Sequence, residues 1–205
     1  MKIPAVYAVV LAAGSGTRFG GDKLAAKLHG RPLIAHVATS VAEAIANGTL
    51  AGGFAVLRPG DTALAWHLDT AGLQLVTNPD AKLGLGSSLR AGLRAAGQAD
   101  PPAGAALVVL GDQPLVRPEV ITRLVEHWGK TGLSARPRYA GRPADPGHPV
   151  LLDRSLWPLA EGLEGDAGLG TLLRARPDAV ATLDVSGENP SVETIDDLLR
   201  LEDLG

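Results

Sequence analysis

A compact apolar run, Ala5–Val10, leads directly into Leu11–Lys23, LAAGSGTRFGGDK, a turn crowded with glycine and closed by a lysine. Few architectures accept that succession. The run suits a strand buried on both faces of a parallel sheet, so the turn stands at the strand's carboxyl end. Gly14, Gly16, Gly20 and Gly21 admit backbone angles that other residues avoid and let the main chain approach a ligand. Successive backbone N–H groups in such a turn form a concavity for an anion, and Arg18 and Lys23 add full positive charge. The combination predicts a loop that holds the triphosphate of a nucleotide. The plainer alternative is a flexible glycine turn with two solvated cations.

Spacing excludes the two commonest phosphate loops. A dinucleotide fingerprint requires G-x-G-x-x-G. After Gly14 and Gly16 the third position is Phe19, and the glycine comes one residue late, at Gly20. A Walker A loop requires G-x-x-x-x-G-K followed by Ser or Thr. Asp22 stands between Gly21 and Lys23, and Leu24 occupies the place of the hydroxyl.

Composition narrows the class further. The 205 residues carry a net charge of −3, 45% apolar and 20% charged residues and no cysteine. That is ample for a core. It offers no clustered basic surface for nucleic acid, and it excludes disulfides, thiolate metal sites and a cysteine nucleophile. The opening MKIPAVYAVVLAAGSG has one cation before its apolar run, with Ala-x-Ala-like sites after it. Because the run passes straight into the glycine loop, it reads as a first strand rather than a secretory leader. No run reaches the roughly 18 apolar residues of a membrane span, so the expected location is the cytoplasm.

Periodicity supplies the frame. Leu33, Val37, Val41 and Ile45 recur every four residues and mark a helix, with Pro32 near its start and Asn47-Gly48 at its end. Strands are predicted at Ala5–Leu11, Gly53–Leu57, Leu73–Thr77 and Ala105–Leu110. Further helices are predicted at Asp61–Thr70, Gly86–Ala96 and around Val120–Trp128. This alternation predicts an α/β fold, a three-layer Rossmann-like, mostly parallel sheet with helices on both faces. Ligands of such sheets bind beyond the carboxyl ends of the strands. Ser134–Pro149 holds Pro137, Pro143, Pro146 and Pro149 and reads as loop or short edge strand. Val150–Leu152 and Ala179–Val185 read as strands, Trp157–Leu163 and Leu169–Ala175 as short helices, and Thr194–Leu204 as a final helix with Thr194 and Asp197 at capping-box spacing.

Asp112 is the strongest candidate for chemistry. It follows the buried run Ala105–Leu110 within Gly111-Asp112-Gln113-Pro114. A hard carboxylate at a strand end suits Mg²⁺, which binds through one or two carboxylates plus substrate phosphates; a helix-capping turn aspartate is the alternative. In Lys82–Leu93, KLGLGSSLRAGL, Gly84 and Gly86 open a helix whose first turn holds Ser87 and Ser88. Such a helix start either binds polar ligand atoms or is simply capped by serine. His148, in Pro146-Gly147-His148-Pro149, and Asp166, in Gly165-Asp166-Ala167-Gly168, add a loop histidine and a carboxylate ahead of a helix.

Taken with Gly30-Arg31-Pro32-Leu33, LAAGSGTRFGGDK resembles the opening signature of nucleotidyltransferases built on the nucleotide-diphospho-sugar transferase fold. Asn78-Pro79, Gly84–Leu93, Gly111–Pro114, Pro146–Leu152 and Gly165–Gly168 then follow in the order seen in the MobA-like branch. They look most like molybdenum-cofactor cytidylyltransferases. Two features depart from that pattern. Asp22 stands where relatives usually carry proline, and Ser191-Val192-Glu193-Thr194 replaces a D-x-D-T-like stretch.

The resemblance implies a single nucleotidyltransferase domain over 1–205, with a nucleotide-binding half at 1–130 and an acceptor-binding half at 131–205. It implies that CTP binds with Mg²⁺ and that the terminal phosphate of a molybdopterin-type acceptor, already loaded with molybdenum, attacks the α-phosphate. Pyrophosphate leaves, and a xanthine dehydrogenase-type enzyme receives the product. Arg18, Lys23 and Asp112 are the implied catalytic residues, with Asp112 and Glu193 on the metal. Leu11, Ala12, Ala13, Gly14, Gly16, Asn78, Gly86, Ser87 and Ser88 would bind the nucleotide, and His148 and Asp166 the acceptor. GTP as donor, another small phosphate as acceptor, and a non-catalytic carrier of the cofactor are the alternatives. No nucleic acid or membrane partner is expected.

Overall fold

The computed structural model describes residues 4–14, 16–141, 147–165 and 167–203. In chain order the elements are β1 (Ala5–Leu11), β2 (Lys27–Leu28), β3 (Arg31–Pro32), α1 (Leu33–Ala46), β4 (Gly52–Leu57), α2 (Thr62–Thr70), β5 (Gln74–Thr77), α3 (Leu85–Gly97), β6 (Ala103–Leu110), α4 (Pro118–Thr131), β7 (Ser134–Tyr139), β8 (Val150–Asp153), α5 (Leu169–Ala175), β9 (Val180–Val185) and α6 (Ile195–Glu202). The main sheet has seven strands in the order β5-β4-β1-β6-β8-β7-β9. Strands β5, β4, β1 and β6 run parallel, and β8 is antiparallel to both its neighbours.

The unbroken apolar runs have the reason expected of them. Along β1, Val6, Ala8 and Val10 face one layer with Ile34, Val41, Leu68, Ile121 and Leu124. Tyr7, Val9 and Leu11 face the other, with Leu89, Leu93, Leu156 and Leu172. A strand with helices on both sides cannot alternate apolar with polar residues. Helix α3 crosses β1 closely at Gly92, where an added Cβ would collide with Val9.

From β1 the chain steps to β4 and β5 on one side, then returns past β1 to β6 on the other. The crevice between the ends of β1 and β6 is therefore the point where the winding reverses, the usual ligand position in such sheets. Gly111 N–H donates to the Leu11 carbonyl at 3.0 Å and ties the two loops together there.

Two expectations are corrected. Ser134–Tyr139 is neither loop nor edge; it lies between β8 and β9. Pro137 is tolerated because β7 meets β8 only at Ala135↔Leu151, so its missing N–H costs nothing on that side. Its carbonyl accepts from Gly147 N–H at 2.9 Å. The helix expected at Trp157–Leu163 is a 3₁₀ helix over Arg154–Gly162, with Pro158 inside it. The small β2–β3 hairpin was not expected. The predicted cap of α6 is present: Asp197 N–H donates to Thr194 Oγ1 at 3.2 Å and Thr194 N–H to Asp197 Oδ2 at 2.9 Å. Among the described residues no helix is long and apolar enough to cross a membrane.

Candidate active site

A cavity of about 680 Å³ opens over the carboxyl ends of the parallel strands. The loop after β1, the turn before α3, the loop after β6 and the segment before α6 all contribute to its wall. The β1 loop keeps its shape through its own backbone. Phe19 and Gly20 N–H donate to the Gly16 carbonyl at 3.0 and 3.1 Å, and Lys23 N–H to the Gly21 carbonyl at 2.8 Å. Gly16 has φ +63°, and a Cβ there would run into the Gly21 carbonyl, so glycine is required.

At the centre lies an ion cluster drawn from three loops. Lys23 Nζ is 2.7 Å from Asp112 Oδ2 and 3.0 Å from Glu193 Oε2. Arg18 Nη2 is 3.3 Å from the same Glu193 oxygen. The side chains of Lys23 and Asp112 are only 12% and 18% exposed, so their attraction is weakly screened, whereas Arg18 is 75% exposed at the rim. Burial pushes the Asp112 carboxyl above the ordinary aspartate range. Lys23 pulls it back, and the nearby Glu193 carboxylate pushes it up again. Glu193 is delivered by the segment before α6. Val192 N–H donates to the Asp112 carbonyl at 2.9 Å, and Glu193 N–H to Asp197 Oδ2 at 3.1 Å. The longer side chain at this departure from the expected aspartate does reach the cluster.

Two carboxylates converge on one ammonium in a half-dry site, with the Arg18 guanidinium on the second carboxylate at the rim. Asp112 Oδ1 is buried and has no hydrogen-bond partner among the described residues. An orphaned hard oxygen beside a second carboxylate fits a divalent cation of the Mg²⁺ type, which needs one or two protein carboxylates. Asp112 and Glu193 are the residues that could hold it. No group of three or more His, Asp or Glu side chains suited to a metal occurs among the described residues.

Of the residues singled out from the sequence, Leu11, Ala13, Gly14, Gly16, Arg18, Lys23, Ser88, Asp112 and Glu193 line this one cavity. Ala12 lies beneath it, with its N–H donating to the Val56 carbonyl at 2.9 Å. Asn78, Gly86 and Ser87 stand behind the wall. The Asn78 amide donates to Ser87 Oγ at 2.9 Å and Ser88 Oγ at 3.0 Å, and Gly86 packs against Leu163 and the Ala167 carbonyl. They hold the α3 turn in place and are not among the residues that line the cavity. His148 is not among the lining residues either. Its carbonyl accepts from Tyr139 Oη at 3.0 Å and Asn189 Nδ2 at 3.2 Å. Asp166 lies outside the described residues.

Several site residues escaped the sequence reading. Thr17, Phe19, Lys82, Leu85 and Ser191 also line the cavity. Gln113 donates to Ser191 Oγ at 2.9 Å and, through its Oε1, accepts from Asn189 at 3.4 Å. Gln113 and Asn189 are buried, but no motif or periodicity marks Asn189, and Ser191 is marked only as the first residue of the stretch that replaces D-x-D-T. Lys82 opens the stretch Lys82–Leu93, and only its position on the wall distinguishes it.

Residues 8–180 match the family model of the MobA-like NTP transferase domain. The chain belongs to the MobA-like NTP transferase family. By family it is a nucleotidyltransferase. Among relatives, it is 32% identical to the nicotine blue oxidoreductase of Paenarthrobacter nicotinovorans, over 97% of both chains. Rv0371c of Mycobacterium tuberculosis H37Rv superposes with a TM-score of 0.80 at 26% identity, covering 99% of this chain and 100% of that one. Rv0371c has also been solved in complex with manganese, with a TM-score of 0.76 at 24% identity over 98% of this chain and 100% of that one. The nucleotidyl transferase Mth528 of Methanothermobacter superposes with a TM-score of 0.72 at 25% identity over 98% and 97% of the two chains.

Proposed function

We propose that this nucleotidyltransferase moves CMP from CTP onto the terminal phosphate of a molybdenum-loaded, molybdopterin-type acceptor, uses Mg²⁺ at Asp112 and Glu193, and releases pyrophosphate. The transfer rests chiefly on one observation, the Lys23 ammonium lodged between Asp112 and Glu193 where the β1 and β6 loops meet. CTP and the acceptor rest on the series of motifs from Leu11 to Gly168 and their likeness to molybdenum-cofactor cytidylyltransferases. The unpartnered Asp112 Oδ1 supports a divalent ion, as does the manganese complex of Rv0371c. Magnesium, when bound, supplies charge that neutralises phosphate oxygens and orients them.

The chain's own residues do the rest. Lys23 exchanges its carboxylate partners for the β- and γ-phosphates, and Arg18 closes on the leaving pyrophosphate from the rim. Both stabilise charge that builds on the leaving group. Ala13, Gly14 and Gly16 offer main chain to the nucleotide, and Ser88 offers its hydroxyl. Ala12, Asn78, Gly86 and Ser87 support that wall from behind. Residues 1–130 form the nucleotide half and 131–205 the acceptor half, in which His148 and Asp166 are the residues that the likeness to molybdenum-cofactor cytidylyltransferases assigns to the acceptor. The attacking phosphate is already anionic, so the transfer needs positioning rather than a general base. A xanthine dehydrogenase-type enzyme is the expected recipient.

Pyrophosphate release from each nucleoside triphosphate, measured with Mg²⁺ and a molybdopterin-type acceptor, tests the reading. CTP-dependent release is expected; release with GTP alone would replace the cytidylyl assignment. A second reading comes from the relative named nicotine blue oxidoreductase, namely an oxidoreductase acting on that substrate. The missing G-x-G-x-x-G spacing counts against a dinucleotide in the β1 loop. Bleaching of nicotine blue with a reduced nicotinamide dinucleotide, without pyrophosphate release from any triphosphate, would favour the second reading.

A further inference from the structure

Five charged side chains line the cavity: Arg18, Lys23, Lys82, Asp112 and Glu193. Arg18 and Lys23 are engaged with the two carboxylates, and those four charges cancel. Lys82 supplies the net positive charge that remains. It is exposed, and among the described residues it has neither an ion-pair nor a hydrogen-bond partner.

The turn that carries Lys82 is fixed from beneath. Ala81–Leu83 forms a 3₁₀ turn between β5 and α3. Asn78 Oδ1 accepts from Asp80 N–H at 3.0 Å, while its amide donates to the hydroxyls of Ser87 and Ser88. Ser87 Oγ in turn contacts the carbonyls of Asp80 and Gly84, both at 2.8 Å. Buried polar groups are tolerated when they satisfy one another, and here they lock one short turn. The only charged group that this locked turn presents to the cavity is the Lys82 ammonium.

We propose that Lys82 binds the triphosphate of the nucleotide, reaching it from the β5 side of the cleft while Arg18 and Lys23 reach it from the β1 loop. The inference rests on the nucleotidyl-transfer reading above. A lysine ammonium is a compact charge with three donors on a flexible stem, suited to phosphate oxygens whose positions shift as a bond breaks. Its position is set by sheet order. Strand β5 lies beyond β4 and β1, away from the β8–β7 side where His148 sits.

Calorimetric titration of the full chain in Mg²⁺ with CTP, inorganic pyrophosphate and cytidine tests this. Lys82→Ala is expected to weaken CTP and pyrophosphate by about ten- to a hundredfold, the loss of one charge-assisted contact, and to leave cytidine unchanged. Lys82→Arg keeps most of the affinity. The thermal midpoint stays fixed in both variants, because the side chain is exposed and unpartnered. Equal CTP affinity in Lys82→Ala and the unaltered chain would overturn the inference, as would a loss that extends to cytidine. Failure of the unaltered chain to bind any triphosphate would instead remove the nucleotide reading, and this inference with it.

Discussion

The cleft and the region beside it are made of different materials. Where β1 and β6 end, two cations and two carboxylates meet within 2.7 to 3.3 Å, and one carboxylate oxygen has no partner among the described residues. Towards β7 and β8, hydrogen bonds run from Tyr139 through the His148 carbonyl, Asn189 and Gln113 to Ser191 with no formal charge in the series. Charge concentrated in a half-dry pocket is suited to a reaction that redistributes charge. Neutral hydrogen bonds are suited to holding loops still at small electrostatic cost. The two regions join at neighbouring residues, Asp112 on the charged side and Gln113 on the neutral one.

The contrast predicts that the charged side sets the rate. Asp112→Asn keeps the shape of the site but removes the charge. We expect turnover to fall by about a hundredfold to a thousandfold, the scale of losing one electrostatic stabiliser, together with loss of Mn²⁺ binding followed by its paramagnetic resonance. Retained turnover and metal binding would break the comparison at its centre.

The neutral side is expected to report in stability. Burial raises the Tyr139 hydroxyl from an ordinary value of 10.0 to about 12. The folded state therefore holds this proton more tightly than the unfolded state does. The resulting stability is complete below pH 10 and is lost as pH rises towards 12, an effect of about 2 to 3 kcal/mol. Urea unfolding across that range should show the loss, and Tyr139→Phe should remove this step. An unchanged alkaline profile in Tyr139→Phe would mean that another group titrates there. The smallest effect is expected from Asn189→Ala. Nucleotide affinity stays the same, stability drops by about 1 to 2 kcal/mol, and KM for the acceptor rises more than kcat falls. A loss confined to nucleotide affinity would assign Asn189 to the charged side.

Much of the frame was legible because local signals agreed with the fold. The strand Ala5–Leu11, the helix ending at Asn47-Gly48 and the Thr194–Asp197 cap stand where apolar period and capping chemistry put them. Reading failed where a residue's meaning depends on its partners. Proline argued against an interior strand at Pro137, but pairing on one side had lapsed. Asn78, expected at the nucleotide, has its amide donors engaged with two serines, a pairing that the chain order does not show. Asn189 gave no signal at all, since a buried polar residue has no period.

The sequence by itself determined the layered α/β class and the placing of a glycine-rich loop at Leu11–Lys23 and a carboxylate at Asp112 after two buried strands, because burial pattern, glycine geometry and charge are local properties. The tertiary structure alone decided that Lys23, Asp112 and Glu193 form one cluster, since the residues come from three distant loops that only the reversal of winding at β1 and β6 brings together. It also decided that Lys82 stands on the wall with no ion-pair partner among the described residues. Whether a cation is neutralised depends on what folds beside it, and that distance is not written along the chain.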